Sequence, residues 1–120
     1  MKKPDIRIAT WNLNSIRPRL HHLLDWLHEE KPDIALLQEL KCTEDAFPFM
    51  EIEELGYNVA VHGEKTYNGV AIISKFKLDD ICKGLDNNED DSHARYIEAV
   101  ASFQGGVIRV ASVYVPNGQE

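Results

Sequence analysis

Residues 33–40 read DIALLQEL, and the fold class turns on them. Ile34, Ala35, Leu36 and Leu37 form an unbroken apolar run of the kind that fits a strand covered on both faces. The run stops at Gln38 and Glu39, so a carboxylate arrives where the strand emerges. Upstream, IRIATWN (6–12) reads as a strand, and SIRPRLHHLLDWLHEEKPD (15–33) as a helix with Ile16, Leu20, Leu23, Leu24 and Leu27 along one face. Ser15 is placed to cap the start of that helix, and Lys31-Pro32 stops it. Strand, helix, strand is the βαβ unit of a parallel sheet, so the chain begins as an α/β protein.

Downstream the pattern changes. AFPFMEIEELGYNVAVHG (46–63) predicts a short helix ended by Gly56 and then a strand, and YNGVAIISK (67–75) predicts another strand. YIEAVASFQGGVIRVASVYVP (96–116) contains two strands joined across Gln104-Gly105-Gly106, with Gly-Gly supplying the positive φ angles of a tight hairpin. This half reads as antiparallel. No repeat, low-complexity segment or linker interrupts the chain, which fits one α/β sandwich domain or a portion of one.

The 120 residues suit a single domain, and 43% hydrophobic with 28% charged residues exclude disordered and fibrous classes. The longest apolar stretches fall far short of a membrane span of roughly 18 residues. MKKPDIRI lacks the apolar core of a signal peptide, so a cytoplasmic protein without a membrane partner is expected. Cys42 and Cys82 lie far apart with no zinc-like spacing, which predicts reduced thiols and no disulfide. The formal net charge of −7 argues against binding nucleic acid through general positive charge, although a bound divalent cation supplies local positive charge even in an acidic protein. DNNEDD (86–91) adds to the acidic excess and reads as a solvated loop.

Strands that end side by side deliver their last polar residues to one edge of the sheet, where open α/β folds place ligands. TWNLN brings Asn12 and Asn14 there, LLQELK brings Glu39, and VYVPNG brings Tyr114 and Asn117. One carboxylate with several amides suits a hard cation such as Mg²⁺ or Mn²⁺, which acts on phosphates as a Lewis acid, and does not suit structural zinc. Each residue also has a plainer reading. A strand-end Glu is more often a cap or a solvated charge, Asn12 and Asn14 serve turns, and Tyr114 packs in a core with a wet hydroxyl. His21, His22, Arg17, Lys41 and Arg95 read by default as solvated surface groups.

The ordered blocks ATWNLNSIRPRL, PDIALLQELK, LGYNVAVHG, YNGVAIISK, ARYIEAV and VYVPNGQE resemble the N-terminal half of the exonuclease III and abasic-site endonuclease family along essentially the whole chain. The resemblance implies the N-terminal half of a two-sheet α/β sandwich of the deoxyribonuclease-I-like type, cleaving DNA phosphodiesters with Mg²⁺ or Mn²⁺. It implies that Glu39 is a metal ligand with Asn12 beside it, that Asn14 stands where some members place a second metal-site residue, and that Tyr114 is the active-site tyrosine. Arg17, Lys41, Tyr67, Asn68, Arg95 and Asn117 fall at or near positions that contact DNA in relatives.

Family members are considerably longer, and their second half carries an Asp-x-Asn strand end, a further aspartate and a terminal Ser-Asp-His that have no counterpart here. The expectation is therefore half of a DNA-repair phosphodiesterase acting on duplex DNA with an abasic site or a 3′ end, inactive alone and completed by a C-terminal half. Two alternatives stand beside it. One is a phosphodiesterase of another branch of the fold, acting on inositol phosphates or sphingolipids. The other is a noncatalytic half-sandwich that self-associates or pairs with a complementary half, because half of such a sandwich is expected to expose a broad apolar patch.

Overall fold

The computed structural model describes residues 5–84 and 93–116. The elements are β1 (Ile8–Asn12), α1 (Ile16–Glu30), β2 (Ile34–Gln38), a single 3-10 turn (Glu44–Ala46), α2 (Phe49–Glu53), β3 (Asn58–His62), β4 (Val70–Ser74), β5 (Lys77–Lys83), β6 (Tyr96–Phe103) and β7 (Gly106–Val113). They build a four-stranded sheet in the order β1-β2-β4-β3 and a three-stranded sheet in the order β5-β6-β7. β1 and β2 are parallel, with Ile8 beside Ile34 and Asn12 beside Gln38. Every other pairing is antiparallel. The expected βαβ start and antiparallel second half are both present.

The apolar run of β2 has a direct cause. Ala35 and Leu37 pack with Ile16, Leu23 and Leu27 of α1 and with Ala71 and Ile73 of β4. Ile34 belongs to the second core, where Ala60, Val70 and Ile72 of the first sheet meet Ile97, Ala99, Ala101 and Val110 of the second. A strand wedged between a helix layer and a facing sheet has no polar face to offer water, so alternation disappears. Of the five residues expected along one face of α1, Ile16, Leu23 and Leu27 are buried and Leu20 and Leu24 are partly buried.

Several local expectations need correction. Ser15 stands at the N-cap of α1 but makes no side-chain cap bond. Instead Ser15 N donates to Glu39 O at 2.8 Å and Ile16 N to Leu40 O at 3.0 Å, so the loop after β2 satisfies the helix start. A cap contributes ~1 kcal/mol, whereas each fully buried Leu or Ile contributes about 1.5–3 kcal/mol, so packing holds α1 in place. In the hairpin only Gly105 takes a left-handed φ, at 114°, and Gly106 already begins β7. β5 is absent from the sequence reading. Its residues KLDDICK show no alternation because the strand is an exposed edge with a register shift between Asp79 and Cys82.

Among the described residues the broad apolar patch expected of a half-sandwich is also absent from the inner faces. This chain supplies strands to both sheets, and their inner faces cover each other. Among the described residues the exposed apolar side chains are spread over Ile8, Met50, Leu55, Tyr67 and Ile81, with Val107, Val113 and Val115 on and just beyond the edge strand β7. Among the described residues no helix is long and apolar enough to cross a membrane. DNNEDD and Asn117 lie outside the described residues.

Candidate active site

The chain leaves β2 through a kinked turn. Glu39 and Lys41 both take left-handed backbone angles, φ 55° and 56°, on either side of the fully buried Leu40. That conformation costs a non-glycine residue roughly 1–2 kcal/mol, and it swings both side chains to the rim while Leu40 fills the core. Gly69 takes its φ of 98° without that cost and runs close to Leu40, where an added Cβ would come within 2.9 Å of the Leu40 side chain. Lys41 N donates to Asn68 O and Leu40 N to Gly69 O, locking the turn to the loop before β4.

Asn12, at the end of β1, donates from Nδ2 to Glu39 Oε2 at 2.8 Å and accepts from Asn14 N at Oδ1. Lys41 Nζ donates to Asn14 Oδ1 at 2.7 Å and lies 3.7 Å from Glu39 Oε1. The three residues expected at a metal, Asn12, Asn14 and Glu39, thus form one connected group with Lys41. Parallel pairing of β1 with β2 puts the ends of both strands side by side, which is why residues far apart in sequence meet.

Glu39 and Lys41 open into a cleft of about 350 Å³ that is also lined by Glu64, Tyr67, Asn68, His93, Arg95, Tyr114 and Pro116. Tyr114 reaches it from the end of β7, where its N–H donates to Arg95 O at 2.9 Å. Tyr67 is 67% exposed on the rim, whereas Asn68 is buried. Arg17 does not line this cleft; it stands with Lys41, Lys65 and Thr66 around an adjoining hollow of about 290 Å³. His21 and His22 are exposed on α1, as the plainer reading has them. Both cysteines are free thiols, Cys42 buried and Cys82 exposed.

Glu64, His93 and Lys65 were not reached by sequence reasoning. Nothing in the spacing of HGEKTYNG marks Glu64 or Lys65, and nothing in HARY marks His93; they come to the site because the loop before β4 folds against the entrance to β6. Burial raises the Glu64 carboxyl, but hydrogen bonds from Ala94 N–H, Asn68 and His93, with the charge of His93, outweigh that and hold it below the usual carboxylate range. Glu64 is therefore ionised at neutral pH.

The donor set can be tested against a cation. Glu39 offers a carboxylate and Asn12 and Asn14 offer amide oxygens, all hard ligands gathered at one rim. Among the described residues no group of three or more His, Cys, Asp or Glu is placed to hold a metal ion. One carboxylate with amides fits Mg²⁺ or Mn²⁺, which keep several waters and take phosphate oxygens, and does not fit zinc.

A sequence profile described as the Endonuclease/Exonuclease/phosphatase family matches residues 9–118, nearly the whole chain. The chain belongs to that family. Within the Endonuclease/Exonuclease/phosphatase family it is similar to exodeoxyribonuclease III of Haemophilus influenzae, 33% identical over 114 residues that cover 95% of this chain and 43% of that protein. Among solved structures it is similar to the 3′ phosphatase NExo from Neisseria bound to product DNA hairpin, with 40% identity, TM-score 0.85, and coverage of 92% of this chain and 41% of that one. An AP endonuclease from Archaeoglobus fulgidus gives 43% identity and TM-score 0.85, over 93% of this chain and 42% of that one. The chain thus spans less than half the length of these relatives. The resemblance to exonuclease III and abasic-site endonucleases, and the two-sheet sandwich it implies, are both borne out.

Proposed function

We propose that this chain forms the N-terminal half of a divalent-metal-dependent DNA phosphodiesterase of DNA repair, a 3′–5′ exonuclease and abasic-site endonuclease working in the cytoplasm. The observation that carries the reading is the Asn12–Glu39 hydrogen bond of 2.8 Å at the mouth of a cleft that also holds Lys41, Arg95 and Tyr114. The relatives' descriptions, exodeoxyribonuclease III, 3′ phosphatase with product DNA, and AP endonuclease, support DNA as the substrate.

In this reading Glu39, Asn12 and Asn14 hold Mg²⁺ or Mn²⁺, which when bound neutralises charge on a phosphoryl oxygen. Asn12 fixes the Glu39 carboxylate by its hydrogen bond. Lys41 and Arg95 place positive charge against the phosphate, and the Tyr114 hydroxyl donates to one of its oxygens. Exposed Tyr67 reaches the DNA, Arg17 with Lys65 holds a neighbouring phosphate at the adjoining hollow, Asn117 joins the DNA-facing set on the sequence alone, and buried Asn68 serves it through its hydrogen bond with Arg95.

The chain alone is expected not to cleave. Glu64 and His93 are engaged with each other and with Asn68 and Ala94, so neither is presented as a general acid or base, whose assistance is worth ~10²–10⁴-fold in rate. The test uses a duplex with one abasic site and Mg²⁺, with and without a complementary C-terminal half. No cleavage alone and cleavage on adding the half supports the reading. Cleavage by the chain alone, no rescue, or hydrolysis of a phosphoinositide in place of DNA overturns it.

A second reading is favoured by Val107 and Val113, 66% and 47% exposed on the edge strand β7, with Val115 just beyond it. An unpaired apolar edge is a site for self-association or for pairing with a complementary half. Light scattering at high concentration decides between pairing and a monomer.

A further inference from the structure

The Glu64 carboxylate meets Ala94, Asn68 and His93, all groups of the protein itself. Oε1 accepts from Ala94 N at 2.9 Å and from Asn68 Nδ2 at 2.9 Å, and Oε2 lies 3.2 Å from His93 Nδ1. Asn68 in turn accepts at Oδ1 from Arg95 Nε at 3.4 Å. Its amide is buried and spent on both sides, with Glu64 at one end and Arg95 at the other. Asn68 also takes a left-handed φ of 57°, and its backbone carbonyl accepts from Lys41 N.

We propose that Glu64 is a positioning residue which, through Asn68 and the Ala94 N–H, aims the outer fork of Arg95 at a DNA phosphate in the cleft. The proposal rests on the reading of this cleft as a DNA phosphodiester site. Among the described residues the two terminal nitrogens of Arg95 make no hydrogen bond, while Nε is held by Asn68. A guanidinium tethered at Nε keeps two parallel N–H groups for a phosphate, the bidentate geometry for which arginine is suited. The Arg95 carbonyl accepts from Tyr114 N, so the same strand entrance also seats Tyr114.

The sign of one effect separates positioning from simple electrostatics. A carboxylate in a cleft that takes an anion repels it, so on charge alone any removal of Glu64 strengthens DNA binding. If Glu64 positions Arg95, Glu64→Ala weakens binding although it removes a negative charge. Glu64→Gln keeps an acceptor oxygen for Ala94 N–H and Asn68 while losing the charge, and so binds more tightly than wild type.

The experiment measures fluorescence anisotropy of a labelled duplex bearing a tetrahydrofuran abasic analogue, at low salt and with EDTA, using the 120-residue chain. Expected is a loss of about three- to tenfold in affinity for Glu64→Ala, Asn68→Ala and Arg95→Ala alike, with no further loss in the Glu64→Ala/Arg95→Ala double variant. Glu64→Gln is expected to gain about two- to fivefold. The ¹⁵N-edited spectrum of the Arg95 Nε–H without DNA gives an independent readout, its resonance retained in Glu64→Gln and lost in Glu64→Ala. Additive losses, tighter binding by Glu64→Ala, or an unmoved Arg95 signal overturns the positioning role while the DNA reading stands. If wild type does not bind the duplex at all, the reading of the cleft falls and this proposal with it. Far-ultraviolet circular dichroism confirms folding, and a Glu64→Ala variant that does not fold leaves Asn68→Ala and Glu64→Gln to decide.

Discussion

Gln38 Nε2 lies 3.0 Å from Ser112 Oγ, joining the two sheets by a hydrogen bond between residues 74 positions apart. Ser112 Oγ donates onward to Leu37 O at 2.7 Å, and Gln38 Nε2 also reaches Thr10 Oγ1 at 3.0 Å. Gln38 and Ser112 are both buried. The polar residue that ends the apolar run of β2 thus ties the sandwich together beneath the cleft, and the next residue, Glu39, turns out to the rim.

Ser112→Ala removes one partner of the buried Gln38 amide and the donor to Leu37 O. A buried group left short of its partner costs about 1–3 kcal/mol, so the thermal midpoint is expected to fall by several degrees. A midpoint equal to wild type would mean that Thr10 Oγ1 and the Leu36 carbonyl satisfy Gln38 without Ser112.

Gly63 is fixed by steric room. An added Cβ would meet Cys42 O at 2.5 Å and Glu44 N at 2.8 Å, both backbone atoms that cannot swing aside. Glu64 N donates to the same Cys42 carbonyl at 3.0 Å, so a displaced Gly63 carries Glu64 with it. Gly63→Ala is expected to lose about 1–3 kcal/mol in urea unfolding, the usual cost of overpacking. An unchanged unfolding midpoint counts against the close approach.

Glu39 offers the carboxylate at the joined ends of β1 and β2. In an enzyme completed by a second half, Glu39→Gln should weaken Mg²⁺ binding and slow cleavage by orders of magnitude with the circular dichroism spectrum unchanged. Cleavage at the normal rate with the same Mg²⁺ dependence removes Glu39 from the metal site.

The Glu64 carboxyl lies below its ordinary 4.5 in the folded chain, because hydrogen bonds and His93 outweigh burial. On acidification the unfolded chain therefore takes up this proton first, and the contribution of Glu64 to stability is full above 4.5 and fades as pH falls below it toward the depressed folded value. Thermal midpoints of wild type and Glu64→Gln should differ most near neutral pH and draw together in that acid window. A gap that stays constant from pH 7 to about pH 3 would falsify the shift.

The sequence by itself determined the elements whose pattern is local. The apolar spacing of Ile16, Leu23 and Leu27 set α1, the run Ile34–Leu37 set a doubly covered β2, and Gly56 and Gly105 set turns that need positive φ. The order of its blocks also identified the family and brought Asn12, Asn14, Glu39 and Tyr114 forward as candidate site residues. Tertiary structure alone decided what depends on partners distant in the chain. β5 exists because it pairs with β6, although its own residues carry no strand pattern. α1 starts on the carbonyls of Glu39 and Leu40, so the Ser15 side chain is not needed there. Glu64 and His93 are ordinary polar residues until the loop before β4 meets the entrance to β6, and Gln38 reveals its function only when Ser112 faces it. A hydrophobic period is written in neighbouring residues, whereas a hydrogen bond across 74 positions is fixed only when two sheets close on each other.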